Sequence, residues 1–120
     1  MPKQEVFFVQ EIGGSRIEVL KVYDRTYAYE AFRQMDAEAR KLLWNALNIY
    51  ENNEAADIPA IDGPDAEDFL WEELLDSARE DGNLLSFFVV TETKSNEAAT
   101  LYVSPDWPSA EVFAKNRIVA

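Results

Sequence analysis

The spacing of apolar residues along the chain alternates between a two-residue and a helical repeat, and each change of period marks a predicted element. Residues 4–12 read as a strand centred on Val6, Phe7, Phe8 and Val9. Four successive apolar residues predict burial on both strand faces. Gly13-Gly14 supplies the positive φ of a tight hairpin turn. Residues 16–24 then alternate, with Ile17, Val19, Lys21 and Tyr23 on one side and Glu18, Leu20 and Val22 on the other. The two runs predict an antiparallel hairpin.

Thr26 is placed to cap the helix that follows. Between residues 27 and 52 the repeat is helical. Ala28, Phe32, Met35, Ala39, Leu42, Leu43, Ala46, Ile49 and Tyr50 form one stripe at about 100° per residue. Asp36 offers a second cap inside this segment, and the pattern fits one helix or two. Trp44 falls off the stripe, with Arg33, Arg40 and Glu51 as its neighbours on a continuous helix. Residues 54–64 read as a loop, broken by Pro59, Gly63 and Pro64 and anchored by Ile58 and Ile61. Asp65 caps the next predicted helix, over residues 65–81, with Gly82 at its C-terminal stop. Its buried stripe is Leu70, Trp71, Leu74, Leu75 and Ala78.

Residues 84–94 form the next predicted strand, since Phe87, Phe88, Val89 and Val90 are bulky or β-branched. A polar turn at 94–97 joins it to a partner strand at about 98–104. Ser109 caps a short final helix carrying Val112 and Phe113. The expected fold is a single α+β domain over residues 1–120, in ββ-α-α-ββ-α order. It is a four-stranded antiparallel sheet from two hairpins, with helices packed on one face.

Charge changes this picture, because it is concentrated. Of a net charge of −12, the span from Glu51 to Asp81 carries −11: twelve acidic residues against Arg79 alone. Such a block repels itself and attracts basic surfaces. It also disfavours direct nucleic-acid binding, which depends on Lys and Arg neutralising phosphates. On the predicted helix, Asp65, Glu72, Glu73, Asp76 and Glu80 lie opposite the apolar stripe, with Phe69 among them. One turn rises about 5.4 Å, so these carboxylates form a ladder. A ladder of this kind suits a basic protein partner or imitates nucleic-acid phosphates. The competing readings are a solvated, solubilising face and a loop folded over Phe69. Trp44 beside arginines has the composition of a binding hot spot, unless the sheet or the C-terminal helix covers it.

Candidate chemistry is sparse. The chain has no cysteine and no histidine, which removes thiolate chemistry, the commonest metal ligands and the commonest general base. The acidic loop fails the EF-hand pattern: with Gly63 at its sixth position, Ile58 stands where an Asp is required. Gly13-Gly14 lacks a phosphate-loop context, and no serine sits in a nucleophile elbow. No cofactor, metal or catalytic residue is therefore expected. No membrane-spanning run or leader is evident, and a cytoplasmic protein is expected.

The expected function is an interaction protein that blocks a basic protein surface through Asp65, Phe69, Glu72, Glu73, Asp76, Glu80 and Trp44. One alternative is a small enzyme or ligand-binding domain using a carboxylate and a Tyr in a sheet–helix pocket. The other is a chaperone or assembly factor for a basic client.

Overall fold

The computed structural model describes residues 4–79 and 85–119. Strands β1 (Gln4–Ile12) and β2 (Ser15–Val22) form the first hairpin. Helices α1 (Arg25–Arg33), α2 (Ala37–Ala46) and the single turn α3 (Ile49–Asn52) follow. After a 3-10 turn at Ala55–Asp57 comes α4 (Ala66–Ala78). Strands β3 (Phe87–Lys94) and β4 (Glu97–Ser104) form the second hairpin, and α5 (Trp107–Val119) ends the chain. The α+β class and the four-stranded antiparallel sheet are as expected. The strands lie in chain order, β1-β2-β3-β4. The two hairpins join through β2 and β3, whose register pairs Val19 with Val90 and Leu20 with Val89.

Both hairpin turns use left-handed backbone. Gly13 and Gly14 have φ of 54° and 86°, and Ser95 and Asn96 have φ of 50° and 68°. Two successive positive φ values give the turn twist that matches the strands it joins. Asn tolerates this region better than most residues.

The sheet is covered on both faces. Phe87 and Phe88 are consecutive in β3 and so point to opposite sides. Trp71 of α4 stacks on Phe87, with centroids 5.9 Å apart and 12° between the rings. Trp107 of α5 meets Phe88 at 6.0 Å on the other side. Phe32 of α1 lies against Trp71, so α1 shares α4's face. The N-terminal helices thus take one face, as expected, and α5 covers the second. The reason lies in residues 87–90, all buried: an apolar run on successive strand residues needs cover on each side.

The same burial was expected of Val6 to Val9, and there the structure differs. Among the described residues β1 pairs with β2 alone, and Val6, Phe7, Val9 and Ile12 are exposed. A register shift between Val6 and Phe8 marks a bulge. It turns Phe7 and Phe8 toward the same ring, that of Trp107, at 4.9 and 6.4 Å.

Three caps are also corrected. Asp24 rather than Thr26 caps α1, its carboxylate accepting from the Thr26 and Tyr27 amides at 2.9 and 3.1 Å. Asp106 rather than Ser109 caps α5, accepting from the Ser109 amide at 2.9 Å, and that helix is thirteen residues long rather than short. Asp65 holds the cap position of α4 without a side-chain cap bond. Gly82 lies outside the described residues.

Asp36 does split the 27–52 segment: its carboxylate accepts from the Ala39 amide at 2.8 Å and starts α2 afresh. A second break follows at Asn48, at φ 53°. These breaks rotate α2 relative to a continuous helix. Leu43 and Trp44 turn into the core, while Leu42, Ala46 and Tyr50 come to the surface.

The core therefore includes Leu74, with no exposed surface, and excludes Leu42, which is 51% exposed. Leu74→Ala should cost about 2–5 kcal/mol in urea denaturation. Leu42→Ala should cost about 0.5 kcal/mol or less. Equal losses would mean that the break at Asp36 is absent.

Candidate functional site

The acidic segment begins with residues that hold a helix against the sheet. Ala66, Leu70, Trp71, Leu74, Leu75 and Ala78 are buried. At about 100° per residue this burial leaves Asp65, Asp68, Glu72 and Asp76 within one outward stripe. All four are exposed. From Asp65 to Asp76 the stripe extends about 16 Å at the 1.5 Å helical rise. Asp76 lies 3.9 Å from Arg79, and Asp65, Asp68 and Glu72 form no ion pair among the described residues. Asp68 was not among the residues expected to bind, although its spacing of three from Asp65 and four from Glu72 carries the signal. Glu73 sits on the flank, half-buried, and Glu80 lies outside the described residues.

Glu67 faces away from the stripe. It lies 3.9 Å from the Arg33 guanidinium and 3.7 Å from that of Arg40. These are the arginines expected beside Trp44, and they serve Glu67 instead. Arg40 also lies over the Phe32 ring at 5.6 Å. Arg25 shares an open cleft with Asp68, Glu72 and Trp71, without an ion pair among the described residues. Glu51, Glu54, Asp57 and Asp62, in the turns before α4, are exposed and likewise without an ion pair among the described residues.

The two aromatics read as exposed anchors are placed otherwise. Trp44 is 1% exposed and packs on Phe69 at 5.6 Å and on Tyr50 at 6.2 Å. Phe69 is half-buried against the core, as is Ile58 from the preceding loop. Its angular position beside the carboxylates is as read. Trp44 of the rotated α2 packs on it. Ile61 within the acidic segment and Tyr50 immediately before it are exposed.

A second feature lies beside the β4 edge of the sheet. α1 and α2 run beside β4, and α5 crosses the face that carries Tyr102. Between α2 and α5 this leaves a cleft of about 520 Å³. Its walls include Ala39 and Leu42 from α2 and Val112 and Phe113 from α5, with Tyr102 of β4 between them. Asp36 and Glu38 stand at the α2 end, and Arg117 on the α5 side. Arg117 is engaged by Glu92 at 3.3 Å. Burial pushes the Tyr102 phenol well above its ordinary value, and the Asp106 carboxylate adds to the shift.

No protein-family model, curated protein or solved structure matches this chain. Function is therefore argued from this geometry. No described helix is long and apolar enough to cross a membrane. Among the described residues, no group of three carboxylates is arranged to hold a metal ion.

The packing of Phe69 on Trp44 has a direct consequence. Trp44→Ala should cost about 3–5 kcal/mol, as expected of a fully buried ring. Phe69→Ala should cost less, about 1–3 kcal/mol. The double variant should lose less than the two single losses combined, because the rings share one contact. Full additivity in chemical denaturation would contradict that contact.

Proposed function

We propose that this protein is an acidic interaction protein that occupies a basic surface on another protein, as an inhibitor, immunity protein or nucleic-acid mimic does. The observation that carries the reading is the α4 stripe. Asp65, Asp68, Glu72 and Asp76 are exposed on one side of a helix whose other side is locked in the core. A rigid row of like charges at helical spacing is preorganised, so little ordering is lost when a row of Lys or Arg side chains meets it. Its like-charge repulsion costs stability in the free protein, and a basic partner removes that cost. The exposed Ile61, in the acidic segment, and Tyr50, immediately before it, supply apolar contact. They take the anchoring role first given to Phe69 and Trp44, which are committed to the core. A cytoplasmic setting and a basic protein partner belong to this proposal, and nucleic acid is not its target.

Charge reversal tests it. Glu72→Lys combined with Asp76→Lys should leave the fold intact, since both side chains are exposed. Partners enriched by the wild-type protein from its native host at low salt should be lost with this variant. Against one such partner, the association rate should fall about tenfold or more at low salt, and the loss should shrink as salt rises. Tyr50→Ala should act instead on the dissociation rate, with little salt dependence. Unchanged association with the reversed variant would assign the stripe to solubility alone.

A further inference from the structure

We propose that the cleft between α2 and α5 is a binding site for a small uncharged molecule with an apolar body and one hydrogen-bond acceptor, which receives the Tyr102 hydroxyl. This inference is independent of the α4 stripe.

Tyr102 is 2% exposed, lines the cleft, and has no hydrogen-bond partner for its hydroxyl among the described residues. Its oxygen is not among the sealed, unpartnered polar atoms of the described residues, which are Arg40 Nε and Trp44 Nε1, so it reaches solvent and is open to an acceptor delivered into the cleft. The group stays a donor, because burial and Asp106 both hold the phenol in its protonated form. Its ring is fixed by parallel stacking on Phe113, with centroids 4.6 Å apart and 5° between the planes. Donor and wall are therefore set before any ligand arrives.

The walls define the rest of the ligand. Leu42 is 51% exposed and Val112 is 59% exposed, and both line the cleft. An apolar molecule between them removes both side chains from water. The volume, about 520 Å³, is in the range that takes a ligand of ordinary drug-like size. The surrounding charge excludes anions. Asp36 and Glu38 stand on the rim, Asp106 is close enough to act on the phenol, and the nearest cation, Arg117, is engaged by Glu92.

Nile red, an uncharged dye with an apolar ring system and a ring carbonyl, is a suitable probe. Fluorescence titration of the wild-type protein should show saturable binding to one site. Tyr102→Phe keeps the stacked ring and removes the donor, and should weaken binding about fivefold to tenfold, the worth of one neutral hydrogen bond. Leu42→Lys and Val112→Lys change exposed wall positions, and each should weaken it tenfold or more. Val6→Ser, at a 60% exposed position of β1, should leave it unchanged. An anilinonaphthalene sulfonate should bind at least tenfold more weakly than Nile red. Circular dichroism melts of each variant confirm the fold. No saturable binding, binding that survives both lysine variants, or binding removed by Val6→Ser would overturn the site. Equal affinity in Tyr102→Phe would overturn the role of the hydroxyl.

Discussion

Burial of β3 on both faces organises this molecule. A strand that carries Phe87, Phe88, Val89 and Val90 in succession has no solvent side, so each face requires its own layer. Trp71 supplies one and Trp107 the other. The outer neighbours of β3 are then fixed as β2 and β4, which leaves β1 at the edge. The bulge in β1 follows the same demand, since it brings Phe7 and Phe8 together against Trp107. Placing α5 on the second face also creates the cleft, because α5 passes opposite α2 across Tyr102.

Much of this was legible from spacing. The hairpin at Gly13-Gly14 and the buried stripe of α4 follow their expected spacing, and the bulky run at residues 87–90 marks the second hairpin, whose first strand begins at Phe87 within the expected 84–94. What escaped depends on breaks in period and on distant packing. Two short interruptions, at Asp36 and Asn48, rephase α2, and a continuous helix then puts Trp44 outside and Leu42 inside when the reverse holds. Asp24 and Thr26, or Asp106 and Ser109, are cap-competent residues two or three positions apart, and sequence does not rank such neighbours. Phe69 was placed at the right angle on α4. Its contact with Trp44 comes from the rephased α2, which no local pattern announces. The cleft at Tyr102 joins β4, α2 and α5 across some sixty residues of chain, so only the tertiary structure brings it together.

Charge and core are segregated in this protein. Among the described residues the buried set contains no acidic or basic residue, and its polar members are Ser86 and Ser104. The carboxylates of the acidic segment are carried outside it, most of them without an ion pair among the described residues. The fold is thus held by aromatic and aliphatic packing, and the acidic segment is borne at a cost in like-charge repulsion. A surface that opposes stability and is mounted on a rigid helix is available for a partner, and the functional reading rests on this separation.

The separation is tested most directly by thermal unfolding at pH 7 of a variant that neutralises unpaired carboxylates, combining Glu54→Gln, Asp57→Asn, Asp62→Asn and Glu72→Gln. At low ionic strength this variant should melt at a higher temperature than the wild-type protein. The difference should close as salt screens the remaining charge, over a Debye length of about 10 Å at 0.1 M. A variant that melts lower than wild type at low salt would show that these carboxylates help to hold the fold, and would contradict the account.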